Sequence, residues 1–138
     1  MIKITDYIHC YENLLDKDLC EAIIKNSKNL NFTKAPILDN ENNKNLKNSP
    51  RKCYMDWLDK KFNTPLYEAV GKMLKLYAKD HSFFNTGLTV EDTGYQHLIY
   101  IGTQQGEYKE HTDHADIHPR VLTCSFILNE DYDGGDFV

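Results

Sequence analysis

Two donor-bearing side chains two positions apart, His111 and Asp113, constrain the backbone that carries them. They lie in the stretch Tyr100-Ile-Gly-Thr-Gln-Gln-Gly-Glu-Tyr-Lys-Glu-His111-Thr-Asp113-His114. Residues i and i+2 share a face on a β-strand and diverge on a helix, so a working pair requires an extended chain here. The flanking pattern agrees from Tyr95 onward. Gln96, Leu98 and Tyr100 fall on one face of a first predicted strand, and Gly102 to Gly106 read as a turn. Glu107 to Asp113 is the second strand, Ala115 to Pro119 a loop, and Val121 to Leu128 the third strand. Val121, Thr123, Ser125 and Ile127 face one way in that third strand, and Leu122, Cys124, Phe126 and Leu128 the other. Both faces are mostly apolar, as in a strand buried between two sheets.

The first part of the chain reads differently. Residues 1–15, with apolar runs around Ile2–Ile8 and Leu14-Leu15, suggest an opening strand and a turn. Asp16 can cap a helix running to about Asn29, with Leu15 as a hydrophobic staple and Leu19, Ala22, Ile23 and Leu30 at helical spacing. Residues 31–53 are rich in Asn and Lys and read as an exposed loop, one that could lie near a substrate mouth. Thr64-Pro65 marks a second helix start. Its apolar stripe is Leu66, Ala69, Val70, Met73, Leu74 and Tyr77, and it should end near Lys79. Residues 81–94 carry turn signals at Asn85, Gly87 and Gly94. Neither a repeat nor a second domain is evident, so residues 1–138 form a single domain, with 1–94 mainly helical and 95–138 mainly strand.

Composition narrows the function classes. A net charge of −5 argues against a general nucleic-acid or acidic-membrane binder, which needs a basic face. No run approaches the roughly 18 apolar residues of a membrane span. Cys10, Cys20, Cys53 and Cys124 form no C-x-x-C pair, which suggests reduced, buried thiols and a cytoplasmic setting.

An imidazole and a carboxylate on one strand face are two thirds of the 2-His-1-carboxylate arrangement of non-haem iron sites. The residues C-terminal to the pair make that reading specific. Arg120-Val-Leu-Thr123 opens a run ending in Leu128-Asn129, and Gly134-Gly135 forms a turn. Together with Tyr100, Gly102, Gly106 and Tyr108, this order resembles the prolyl 4-hydroxylase-like branch of the 2-oxoglutarate and Fe(II)-dependent dioxygenases. The resemblance covers residues 95–138 well and 1–30 loosely.

The resemblance implies an α+β fold, a double-stranded β-helix (jelly roll) with N-terminal helices packed on it and its final strands missing. It implies an oxidoreductase that hydroxylates a C–H bond and releases succinate and CO2. The cofactors would be Fe(II) and 2-oxoglutarate, with ascorbate a candidate accessory. O2 and a protein or small-molecule substrate would complete the reaction, a peptidyl proline being the family's best-known target. His111 and Asp113 would be the metal ligands, and Tyr100, Tyr108, Thr123 and Arg120 would contact co-substrate or substrate. Ile127 stands where relatives often carry a Tyr on the co-substrate carboxylate.

The family's second His and its basic co-substrate residue are expected beyond Val138, so residues 1–138 read as a fragment, inactive alone. Two alternatives remain. One is a non-catalytic jelly-roll module. The other is a cupin-like metal-binding protein with His114 or His118 as a local third ligand. His9, His81 and His97 have no evident partner in the sequence and are expected to have structural or surface roles.

Overall fold

The computed structural model describes residues 3–36, 51–86, 94–109, 111 and 120–136. Asp16 caps the first helix as its sequence predicts. Its carboxylate accepts from the Leu19 N–H at 2.7 Å, and α1 runs Lys17–Asn26. A single 3-10 turn, Ser27–Asn29, continues it. The buried face of α1 is Ile23 and Asn26 rather than Ala22, which is exposed. The Asn26 side-chain carbonyl accepts from Lys61 Nζ at 3.2 Å, whereas its amide nitrogen is buried without a hydrogen-bond partner among the described residues.

The second helix, α2, spans Asn63–Asp80. Thr64 does not cap it. A 3-10 turn at Lys60–Phe62, capped by Asp59, feeds straight into the helix, so the chain is already helical at Asn63. Pro65 sits in the first turn, where its missing N–H costs nothing. Leu66, Ala69 and Tyr77 from the predicted stripe are buried.

The opening segment is a 3-10 turn, Ile4–Tyr7, not a strand. Asp6 closes it by accepting from the Lys3 N–H at 2.9 Å through its carboxylate, and its own N–H reaches the Lys3 carbonyl at 3.0 Å.

The sheet is antiparallel and three-stranded, with order β1-β2-β3: β1 Thr33–Lys34, β2 Tyr54–Trp57 and β3 Gln96–Ile99. Tyr54 pairs with Ile99 and Trp57 with Gln96. Neither β1 nor β2 is evident in the sequence: β1 falls within residues 31–53, which read as one loop, and β2 follows directly after it. Trp57 is half exposed at the end of β2, against Gly94, which takes a left-handed backbone. Beyond the named strands, the Lys52 N–H donates to the Glu107 carbonyl at 2.7 Å, and Arg51 bridges Tyr108. Ile99 and Tyr108 thus both pair against the stretch that enters β2, and residues 100–107 bulge out between them. The expected turn lies in this bulge, as a 3-10 turn at Gly102–Gln104.

The core gathers Ile23 from α1, Leu58 and Phe62 from the β2–α2 connection, and Leu66 from α2. Leu15, Leu19, Leu30, Tyr95, Phe126 and Leu128 pack against it. The predicted third strand therefore buries one face only. Phe126 and Leu128 point at the core, while Val121 and Ile127 are exposed. Residues 120–130 form no strand, and the apolar contacts of Phe126 and Leu128 anchor this segment to the core. All four cysteines are free thiols; Cys53 is buried, whereas Cys10 and Cys124 are exposed, contrary to the sequence expectation. Among the described residues no helix is long and apolar enough to cross a membrane.

Leu66→Ala should cost about 2–5 kcal/mol, since it empties a closed site. Ala22→Gln, on the exposed face of α1, should change stability by less than about 0.5 kcal/mol. Urea unfolding midpoints of the two variants measure the contrast.

Candidate functional site

The bulge between Ile99 and Tyr108 assembles a cluster around Arg51. Gly106 makes the bulge possible. A Cβ there would come within 3.0 Å of the Ile101 nitrogen, 3.1 Å of the Lys52 carbonyl oxygen and 3.2 Å of the Tyr100 Cα. These are backbone atoms that cannot swing aside, so the two chain segments meet only over glycine. The adjoining Lys52–Glu107 ion pair, at 3.0 Å, spans the same junction. The Lys52 ammonium, bonded to the Glu107 carboxyl, holds that carboxyl below the usual range.

Arg51 lies on the other side of this junction. Its Nε–H donates to the Cys53 thiol at 3.2 Å, and its guanidinium stands 4.7 Å from the centre of the Tyr108 ring. Tyr108 in turn stacks on His111, with ring centres 3.6 Å apart and planes 18° from parallel. The His111 Nδ1 lies 2.7 Å from the Lys109 carbonyl oxygen. A carbonyl can only accept, so Nδ1 carries a proton. This backbone anchor is the arrangement that orients a metal-ligating imidazole.

Tyr100 joins the cluster from the end of β3. Its hydroxyl faces Cys53 and Arg51, and its pKa is pushed up to about 12, by burial first and then by the neighbouring thiol, while Arg51 pulls it down.

Tyr100, Tyr108 and His111 are thus brought to one locality, together with Arg51, which the sequence left in a loop. Thr123 is not part of it. That residue lines a cleft of about 180 Å³ with Tyr7, His9, Tyr77 and Cys124, which none of the other three lines. Arg120 is exposed. Asp113, His114 and His118 lie outside the described residues. Among those described, no three His, Cys, Asp or Glu side chains converge on one point. His97 lies in β3, away from the cluster around Arg51. It is half-buried against Phe32, with ring centres 5.4 Å apart, and burial lowers its pKa.

The chain matches no family model, no curated protein and no solved structure.

The raised Tyr100 pKa has a measurable consequence. The folded protein holds the phenol proton at a pH where the unfolded chain, with its ordinary value of 10.0, has released it. The folded state therefore binds more protons than the unfolded state across that interval, and stability falls as pH rises from about 10 to about 12. Tyr100→Phe should flatten this alkaline fall, measured as denaturation midpoints across that window.

Proposed function

We propose that this chain carries part of the iron and co-substrate site of a 2-oxoglutarate and Fe(II)-dependent dioxygenase, which inserts oxygen into a substrate C–H bond. One observation carries the reading: the His111 imidazole within the H-x-D pattern has its Nδ1–H bonded to the Lys109 carbonyl, which makes Nε2 the ring nitrogen that would bind a metal. Bound Fe(II) with 2-oxoglutarate and O2 supplies the oxidation, converting R–H to R–OH while 2-oxoglutarate becomes succinate and CO2. His111 and Asp113 would hold the iron from this chain, and the family pattern would require a second His to complete the ligand set. The Tyr108 ring fixes the plane of His111 by stacking.

The co-substrate carboxylate needs a cation or hydroxyl donors in a partly dry site. Arg51 and Tyr100 supply both within one cluster. This reading moves the carboxylate contact toward Arg51 and away from Thr123. A peptidyl proline is the substrate class that the sequence resemblance favours.

In the complete protein, succinate formation from 2-oxoglutarate with added Fe(II), and Fe(II)-dependent retention of labelled 2-oxoglutarate, test the assignment. His111→Ala and Asp113→Ala should abolish both, whereas His114→Ala should retain them. Arg51→Gln should weaken 2-oxoglutarate binding about ten- to hundredfold, the range for losing a charge-assisted hydrogen bond of roughly 1.5–3 kcal/mol. Thr123→Val should leave that binding nearly unchanged. Wild-type behaviour in His111→Ala would overturn the iron site, and an effect in Thr123→Val without one in Arg51→Gln would overturn the carboxylate assignment.

A further inference from the structure

Two histidines far apart in sequence meet at the junction of the N-terminal segment and the end of α2. The Nε2 atoms of His9 and His81 are 3.0 Å apart. Each ring is held from behind. The His9 Nδ1 lies 3.2 Å from the Tyr11 hydroxyl and 3.6 Å from the Asp80 carboxylate. The His81 ring stacks on Tyr7, with centres 5.0 Å apart, and packs on Tyr77 at 4.6 Å. The Tyr77 hydroxyl donates to the Tyr7 carbonyl at 3.1 Å, which fastens the two segments together.

The Asp6 carbonyl oxygen is 3.3 Å from the same His9 Nε2 and can only accept, so in the metal-free protein a proton on His9 Nε2 joins it to that oxygen and to His81 Nε2, while His9 Nδ1 accepts from the Tyr11 hydroxyl. A divalent cation that displaces this one proton would be held by the same three atoms, His9 Nε2, the Asp6 oxygen and His81 Nε2.

The spacing also selects a geometry. Two nitrogens each about 2.0–2.1 Å from a metal lie about 2.8–3.0 Å apart at a right angle and about 3.3–3.4 Å apart in a tetrahedron. The observed 3.0 Å fits neighbouring positions of a square-planar or octahedral ion. Nitrogen and oxygen donors in that geometry suit Ni(II) and Cu(II). The Asp80 carboxylate behind His9 is the partner expected of a metal-ligating imidazole. His9 also lines the cleft of about 180 Å³, which leaves space beside the pair for water ligands.

We propose that His9 and His81, with the Asp6 carbonyl, form a second metal site, separate from the His111 cluster and suited to a divalent ion of tetragonal or octahedral preference.

Calorimetric titration with Ni(II) tests it, carried out in the His111→Ala chain so that the proposed iron site does not contribute. One equivalent should bind and should raise the melting temperature. His9→Gln and His81→Gln, each added to that background, should weaken this equivalent at least tenfold and abolish the thermal shift. The two substitutions lie on different elements, so one failing to fold leaves the other. In the wild-type chain, Ni(II) should broaden the ring proton resonances of His9 and His81, which requires no variant at either position. Ni(II) binding unchanged by both substitutions overturns the proposal. So does broadening confined to other histidines, or an absence of binding, which would mean that a proton rather than a metal joins the two rings.

Discussion

The pairing of residues 51–57 with two separate segments of the later chain is the constraint on which the candidate site depends. β2 takes β3 along its whole length, and the stretch entering β2 takes Glu107 and Tyr108. The intervening residues have to leave the sheet and return within a short distance, over Gly106. That detour puts Tyr100 at one edge of the bulge and Tyr108 at the other, with Arg51 between them. The cluster is a product of backbone register. It would be lost by a one-residue slip, which turns every side chain of a strand to the opposite face.

Helices are the legible part of the fold, because their signals are local. The Asp16 cap and the apolar stripe of α2 are written within a few turns of sequence, and both helices form where those signals lie. β1 and β2 are not legible. β1 is two residues long, and β2 owes its existence to partners far along the chain. Its Tyr-Met-Asp-Trp composition carries no alternation strong enough to announce a strand. The third predicted strand shows the converse. Leu122, Phe126 and Leu128 have the right spacing to reach inward, but apolar spacing cannot form a ladder without an edge to pair with.

The candidate site is legible in the same uneven way. His111, Tyr108 and Tyr100 are close in sequence and follow a recognisable order, so they can be named together. Arg51 cannot, since only long-range pairing carries it to Tyr108. The same holds for His9 and His81, which are 72 positions apart and meet because the N-terminal turn docks on the last turn of α2. Thr123, which the sequence pattern assigns to the co-substrate, lines the cleft with Tyr7 and Tyr77.

Trp57 is the single tryptophan of the chain. It ends β2 opposite Gln96 and rests on Gly94. Its half-exposed indole makes the intrinsic fluorescence of this protein a local probe of one sheet end. Emission will follow the β2–β3 pairing as it opens or closes. The cleft between the N-terminal turn and α2, by contrast, is lined by tyrosine and histidine. Tryptophan is absent from that lining, so a change in emission reports the sheet end rather than the cleft.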